Sequence, residues 1–263
     1  MKKVTKSILA LLAVAAVLPA CKKGADDPAI SLRSRKARLA GDWKVSSYEM
    51  TSTFTNVSGT STATSSSTKK FTETAYTGST SNTSGSTTTT STVTGTVSEN
   101  TYSFTKEGTW THKLVYKTSQ TTDNSIGGLT NKTTTETSYT INEEGVWNFL
   151  GKIQSDTKNK EEITLSTTKE TSTTVTTSTN TFGSGSTLTT SVSTSTDTES
   201  DTYDVNDLAV IWKLTMLKNK EVHAEVTGKS SGTSSTSSTS GSTTTTTASS
   251  TNGSSSGKVV LVQ

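Results

Sequence analysis

The chain has 263 residues, of which 28% are hydrophobic and about 40% are serine or threonine. This apolar fraction is well below the roughly 45% of ordinary globular domains, so the sequence supports one modest core and not two. The formal net charge of +3 disappears when Lys2, Lys3 and Lys6 are removed with an N-terminal leader. A mature chain without net charge has no global electrostatic attraction to nucleic acid.

The leader occupies residues 1–20 of the stretch "MKKVTKSILALLAVAAVLPAC". Its apolar run from Ile8 to Leu18 is about half the ~20 residues that a membrane-spanning helix needs, and it follows a basic start, as in a secretory signal peptide. "LPAC" (18–21) resembles the bacterial lipoprotein processing box. That resemblance implies cleavage before Cys21 and acylation of its thiol, whereas the alternative is an ordinary export signal with a chance cysteine. Cys21 is the only cysteine, so it has no disulfide partner within the chain.

Acylation would make membrane lipid the first partner of the chain, because each buried methylene contributes ~0.8 kcal/mol. Lys22 follows the cysteine where an aspartate would, by resemblance to sorting in Gram-negative bacteria, retain the protein in the inner membrane. We therefore expect an outer-membrane, lipid-anchored protein. "KKGADD" (22–27) resembles the acidic tether of surface-exposed Bacteroidota lipoproteins, but periplasmic-facing and cell-surface orientations both stay open.

Residues 21–39 are predicted to form a tether and one short helix within "DDPAISLRSRKARLAG" (26–41). Asp27 suits the N-cap, Pro28 the first turn and Gly41 the position after the helix. Basic residues fall in the second half, where they complement the helix dipole: Arg33, Arg35, Lys36 and Arg38. They are interpreted either as a basic patch at lipid headgroups or, preferably, as a solvated face on a helix that plugs one end of a barrel.

Apolar residues alternate with polar ones along the rest of the chain, which predicts half-buried strands. In "TWTHKLVYKT" (109–118) one face carries Trp110, His112, Leu114 and Tyr116. The same period places further residues on inner faces: Trp147 with Phe149, Ile163 with Leu165, Trp212 with Leu214 and Met216, Val222 with Ala224 and Val226, and the closing "KVVLV".

Two similar stretches, "YSFTKEGTW" (102–110) and "YTINEEGVW" (139–147), predict two β-hairpins. Gly108 and Gly145 can adopt positive φ, as tight turns with a bulge require. Aromatic residues would then flank each turn and pack across paired strands.

A third Gly-x-Trp, Gly41-Asp42-Trp43, follows the short helix. The order of anchor, tether, "LAGDWKV", "EEGVWNF" and a late "VIWKL" resembles the lipocalin-like lipoproteins of Bacteroidota. That resemblance implies that residues 40–263 form one all-β antiparallel meander, as a barrel or sandwich, in which Trp43 packs across the base. The chain departs from lipocalins in its long Ser/Thr insertions and in lacking their disulfide and an arginine to stack on Trp43. A filled core and an open, ligand-binding interior both stay open, with these residues as candidate lining: Trp43, Trp110, His112, Tyr116, Trp147, Phe149 and Trp212.

Ser/Thr tracts at 58–68, 77–96 and 166–202 are predicted to form long polar hairpin arms that project beyond the core. The tract at 228–257 has almost no apolar residue and is predicted to be a flexible loop between strands.

Residues that could carry chemistry are few. His112 is expected to be a satisfied interior residue, and His223 to be exposed. Glu143-Glu144 are neighbours on a strand and face opposite ways, so turn and solvent roles fit them better than catalysis. "GSSSG" (253–257) lies in low-complexity sequence, which lacks the strand–turn–helix context of a nucleophile elbow.

We therefore expect no catalytic residue, metal site or cofactor, and no enzyme. The sequence favours a lipoprotein that binds a small apolar ligand or an envelope partner. The alternative is a structural or adhesive surface module without a small-molecule ligand.

Overall fold

A computed structural model describes residues 35–58, 61–150, 161–205, 209–218, 220–240 and 243–263. The predicted signal peptide, Cys21 and most of the predicted tether lie outside these residues. The described chain consists of one short helix and an antiparallel sheet of eleven strands. The predicted all-β antiparallel meander with one short preceding helix is therefore confirmed.

The elements follow one another along the chain as helix α1 and strands β1 to β11. Their bounds are α1 Arg35–Leu39, β1 Gly41–Ser58, β2 Ser61–Thr72, β3 Ala75–Ser84, β4 Thr87–Phe104, β5 Thr109–Asp123, β6 Leu129–Leu150, β7 Glu161–Ser184, β8 Thr187–Thr202, β9 Ala209–Leu217, β10 Glu221–Ser240 and β11 Thr243–Val262.

Eight of the strands close into a ring at one end of the molecule, which we call the base. There β1 pairs with β4, and the pairing continues through β5, β6, β7, β9, β10 and β11 back to β1. Above the base, the β2–β3 hairpin inserts between β1 and β4. Strand β7 leaves β9 after Ser166 and pairs with β8 from Lys169 onwards. The result is a barrel that is closed at the base and uneven above it.

The main core fills the base of the ring. This base cluster contains inward residues from all eight strands and from α1, among them Trp43, Trp147, Leu165, Trp212 and Leu261. The alternation predicted for β5 is observed, with Trp110, His112, Leu114 and Tyr116 all buried. In β9 the alternation breaks at a bulge opposite His223 and Ala224, so Leu217 is buried and Met216 only partly.

Helix α1 closes the base. Leu39 is fully buried, and the indole Nε1 of Trp43 donates a 2.7 Å hydrogen bond to the Leu39 carbonyl oxygen. Arg38 is buried too and donates from Nη1 to the Leu217 carbonyl oxygen at 2.8 Å. Lys36 Nζ lies 5.5 Å from the Trp147 ring centroid. These contacts correspond to the plug interpretation of the helix, although the basic residues are not all solvated.

The two similar stretches turn out to have different structures. Gly108 lies in the β4–β5 turn with φ of +100°, as the hairpin prediction requires. The hairpin predicted at Gly145 is wrong, because Gly145 lies within β6, opposite Trp110 of β5. The second stretch instead folds over the first turn: Trp147 donates from its backbone nitrogen to the Gly108 oxygen (2.7 Å) and from Nε1 to the Thr105 oxygen (3.2 Å).

The predicted Ser/Thr-rich arms are strands that extend away from the base. In the β7–β8 arm, cross-strand hydroxyl pairs such as Thr173–Thr198 (3.3 Å) and Thr177–Thr194 (3.3 Å) run along one face. The tract at 228–257, predicted as a flexible loop, pairs as strands β10 and β11 up to Ser240 and Thr243. Thr and Ser tolerate extended backbone, so a ladder that starts at the core can continue through them.

Candidate functional site

A cavity of about 250 Å³ lies inside the ring, above the base cluster. Its upper wall belongs to a second, smaller group of buried residues, the upper cluster, formed by Phe71, Tyr76, Val97, Leu114 and Tyr116. Aromatic side chains from both clusters line the cavity: Tyr48, Phe71, Tyr102, Trp110, Tyr116 and Trp212. The volume is slightly below the ~300 Å³ at which ordinary small-molecule pockets begin, so the cavity suits a small, mainly apolar molecule.

A polar group of three side chains, Asn100, His112 and Glu143, interrupts this apolar lining. His112 on β5 places Nε2 3.0 Å from Asn100 Oδ1 on β4 and Nδ1 2.6 Å from Glu143 Oε2 on β6. Each ring nitrogen is thus within hydrogen-bond distance of a side-chain oxygen on a neighbouring strand. His112 is 8% exposed, and the polar group therefore pairs a buried ring with two partners on neighbouring strands.

The His112 ring is also held by stacking. Its centroid lies 4.0 Å from that of Tyr102 with 9° between the planes, and Tyr102 in turn meets Trp212 edge-on at 5.2 Å. With both ring nitrogens in hydrogen bonds and one face stacked on Tyr102, His112 has no free nitrogen for a substrate proton. A general base needs such a nitrogen within hydrogen-bond reach of the proton it removes.

The tyrosine hydroxyls around the cavity are weaker acids than an exposed tyrosine. Burial, followed by the nearby charge of Glu143, raises the pKa of Tyr48 to about 12. The same two causes raise the pKa of Tyr102 well above its ordinary value, and burial raises that of Tyr116. These hydroxyls are consequently neutral near pH 7 and available as hydrogen-bond donors.

Trp110 contributes a polar atom without a partner. The side chain is 3% exposed and lines the cavity, yet its Nε1 has no hydrogen-bond partner among the described residues. The indole lies over Gly145, where a Cβ would be only 2.9 Å from Nε1. Gly145 and Glu143 are alternate residues of β6 and face the same side, so this N–H belongs to the same inner surface as the carboxylate.

The structure divides the predicted lining residues into two groups. Trp110, His112, Tyr116 and Trp212 line the cavity. Trp43 and Trp147 lie in the base cluster, and Phe149 packs against it, so these three belong to the filled core and not to the cavity. His223 lies partly exposed on the outside of β10 and places Nε2 2.7 Å from Glu221.

Sequence reasoning missed Tyr48, Asn100, Tyr102 and Glu143. The sequence favours turn or solvent roles for the adjacent Glu143 and Glu144, but Glu143 faces inward and lines the cavity. Glu144 does face out and lies 3.3 Å from Lys169 Nζ. One signal could have placed Glu143 inside: counting back from the buried Trp147 in steps of two residues, through Gly145, leads to Glu143 on the inner face.

Comparisons of the chain with protein-family models, with curated proteins and with solved structures gave no match. Within the part of the chain that the structure describes, no three His, Cys, Asp or Glu side chains are grouped so that they could hold a metal ion. The described helix is neither long nor apolar enough to cross a membrane.

Proposed function

We propose that this chain is a non-enzymatic outer-membrane lipoprotein whose lipocalin-like β domain binds a small, mainly apolar ligand inside the ring. The observation that carries the proposal is the 250 Å³ cavity between the base and upper clusters, with its aromatic lining. Concave, mostly apolar sites with a few polar groups are the usual form of small-molecule sites. The occupied ring nitrogens of His112 support binding over catalysis.

The proposed anchor fits the position of the N-terminal elements at one end of the ring. Helix α1 and the start of β1 lie at the base, as does the end of β11, since Gly41 adjoins Phe104 and Lys44 adjoins Val262. The turns that join β5 to β6 and β7 to β8 lie at the other end, as do the end of β1 and the start of β2. A chain held through acylated Cys21 would therefore present its base to the membrane and its arms away from it.

The anchor is tested by replacing its thiol. Cys21→Ser should move the protein from the membrane fraction to the soluble fraction, because the chain would lose its acyl groups. A Ser7→Ala protein, which is changed within the leader but keeps Cys21, serves as the control. Continued co-sedimentation of the Cys21→Ser protein with membranes would refute the anchor.

Ligand binding is tested with octan-1-ol, a neutral probe. A water molecule occupies ~30 Å³ in the liquid, so the cavity of about 250 Å³ corresponds to about eight water volumes. It therefore suits a molecule with about eight heavy atoms, such as octanol. Trp110 and Trp212 line the cavity, so binding should give a saturable change in tryptophan fluorescence.

A matched pair of variants locates the binding. Val226 lines the cavity, and Val226→Phe should fill part of it and weaken the response. Val192 on β8 is 65% exposed, so Val192→Phe makes the same change on the surface and should respond like the unmodified protein. Equal responses from both variants would place the probe outside the cavity.

A structural or adhesive role is the second candidate, and the arms are the observation that favours it. They carry exposed apolar residues toward their tips, including Phe54, Ile126 and Phe182. Thr176 pairs with Ser195, so residues 177–194 can be replaced by Asn-Gly, a dipeptide suited to a two-residue hairpin. The shortening is made in the Cys21→Ser protein, which has no acyl anchor. Loss of its binding to added envelope fractions, with octanol binding intact, would favour adhesion, and unchanged binding would count against a role of the arm.

A further inference from the structure

Strand β8 ends the sheet on one side. Its residues, Thr187–Thr202, pair with β7 in an unbroken register, and its other edge pairs with no strand among the described residues. Every second residue of β8 therefore turns its backbone N–H and C=O groups towards that free edge. All residues of the strand are also exposed to solvent, so the described part of the chain leaves this edge uncovered.

The half of β8 near the base is protected by charge. Proteins protect edge strands with Lys, Pro, bulges or charged side chains that point inward. Glu143 lines the cavity and lies opposite Glu170, which lies opposite Asp201. Because opposite residues share a face and neighbours alternate, the odd-numbered residues of β8 face inward. Asp197, Glu199 and Asp201 are therefore inward-pointing charges.

The distal half of β8, "TLTTSVSTST" (187–196), lacks this protection. It carries no charge and no proline, and it pairs with β7 without a bulge. On its outer face it exposes two apolar side chains, Leu188 (51% exposed) and Val192 (65% exposed). An uncharged, regular and partly apolar edge favours the addition of a further strand.

The position of the acids indicates which strand that is. In antiparallel self-pairing centred on Val192, each Val192 lies opposite its copy and residues 187–197 overlap. The overlap contains Asp197, which lies opposite an uncharged threonine, and the other two acids of each copy lie beyond it. Parallel pairing would instead bring the acids of both copies to the same height, where like charges repel. The charge pattern therefore favours two copies that run antiparallel.

We propose that β8 is a self-association edge, through which two copies of this chain pair antiparallel about a two-fold axis at Val192. A two-fold contact uses the same surface on both subunits and closes after two copies. The overlap forms roughly ten backbone hydrogen bonds and packs the two Val192 side chains against each other. This pairing depends on neither the proposed ligand nor the proposed anchor.

Antiparallel pairing places the bases of the two copies at opposite ends of the dimer, because their β8 strands run in opposite directions. Copies held through acylated Cys21 at the base therefore belong to two facing bilayers. This second step rests on the proposed anchor. It gives the adhesive role a specific partner, which is another copy of the same chain.

The pairing is tested in solution with the Cys21→Ser protein, which has no acyl anchor. Sedimentation velocity between about 1 and about 100 µM should show a monomer–dimer equilibrium of micromolar affinity. Val192→Lys places like charges opposite each other at the axis and should weaken the dimer about tenfold. Val57→Lys is the matched control, since Val57 is also exposed but lies on β1, which is paired on both sides.

A charge-swapped pair separates a contact between copies from a loss of folding. Val192→Glu alone should also weaken the dimer. An equimolar mixture of the Val192→Lys and Val192→Glu proteins should restore it, because opposite charges then meet at the axis. A mixture that stays as weakly associated as either variant alone would refute the axis at Val192.

Disulfide formation in the same Cys21→Ser background locates the axis independently. Val192→Cys should cross-link to its copy under mild oxidation. Thr196→Cys should not, because the two Thr196 residues lie about 26 Å apart along the strands in this register. Cross-linking through position 196 and not through 192 would overturn the proposed pairing.

The facing arrangement has its own measurement. Acylated protein on vesicles of phosphatidylethanolamine and phosphatidylglycerol should cluster them, as measured by light scattering, and acylated Val192→Lys protein should not. A dimer in solution without clustering refutes the facing arrangement and leaves the self-association edge.

A Cys21→Ser protein that stays monomeric at the highest concentration refutes the self-association edge itself. So does a dimer that Val192→Lys and Val57→Lys weaken equally, because the contact would then lie elsewhere. Octanol titration of the same protein tests the proposed ligand binding separately, so failure of one proposal is distinguishable from failure of the other.

Discussion

Replacing Gly145 with alanine should destabilise the fold although the position lies within a regular strand. A Cβ there would overlap the carbonyl oxygen of Ser166 on β7 and lie 2.9 Å from Trp110 Nε1. The first obstacle is backbone, so relief requires the β6–β7 ladder to shift at a bulge where Thr168 already lies outside the register. Overpacking of this kind costs about 1–3 kcal/mol, against which the smaller unfolded-state entropy of alanine offsets about 0.4–1 kcal/mol.

We therefore expect a net loss of about 1–2 kcal/mol in the free energy of unfolding, or roughly 2–8 °C in Tm for a chain of this size. Urea unfolding followed by tryptophan fluorescence measures it directly, since Trp110 and Trp147 lie in the base cluster. Glu144→Ala, one residue away on the outer face, should change stability by no more than about 0.5 kcal/mol. A Gly145→Ala protein as stable as the Glu144→Ala protein would show that the close approach of β7 is not what requires glycine.

Three further predictions concern the site and the arms. The pKa of Tyr48 is raised to about 12, so this protonated phenol stabilises the folded state below its unfolded pKa of ~10, and that stabilisation is lost as pH rises through 12. Tyr48→Phe should remove about 3 kcal/mol of the loss in unfolding free energy at alkaline pH, measured by urea unfolding at successive pH values. Glu143→Gln should lower the unfolding free energy by about 1–3 kcal/mol, because His112 would lose its charged partner; no loss in the same assay would contradict a stabilising pair. Hydrogen exchange should protect the amides of the base of β5 and β6 far more than those of the distal β7–β8 arm, where few apolar contacts are buried; equal protection would refute this.

The strand faces were predictable because they depend only on local period. In β5 the pattern from Trp110 to Tyr116 specifies an inner and an outer side without reference to any other strand, and the structure reproduces it. A short helix before the first strand was likewise predicted, and Leu39 at its end is fully buried, whereas the predicted caps Asp27 and Pro28 lie outside the described residues.

The site was not predictable, because it depends on which residues of neighbouring strands lie opposite each other. Nothing local pairs His112 with Glu143, or Glu143 with Glu170. The glycines show the same limit: Gly108 and Gly145 occupy matching places in two similar stretches, yet one serves a turn with positive φ and the other the close approach of a neighbouring strand. A motif records that glycine is needed and leaves open which of the two reasons applies.

The division of the molecule explains how so polar a chain can both fold and keep a cavity. The base cluster concentrates the large apolar side chains at one end of the ring, so the strands are fixed there before they reach the arms. Above it, cross-strand hydroxyl pairs such as Thr51–Thr68 (3.1 Å) stabilise the arms only modestly. The cavity lies between these two levels, where the side chains are already held in place but the ring is too uneven to pack solid.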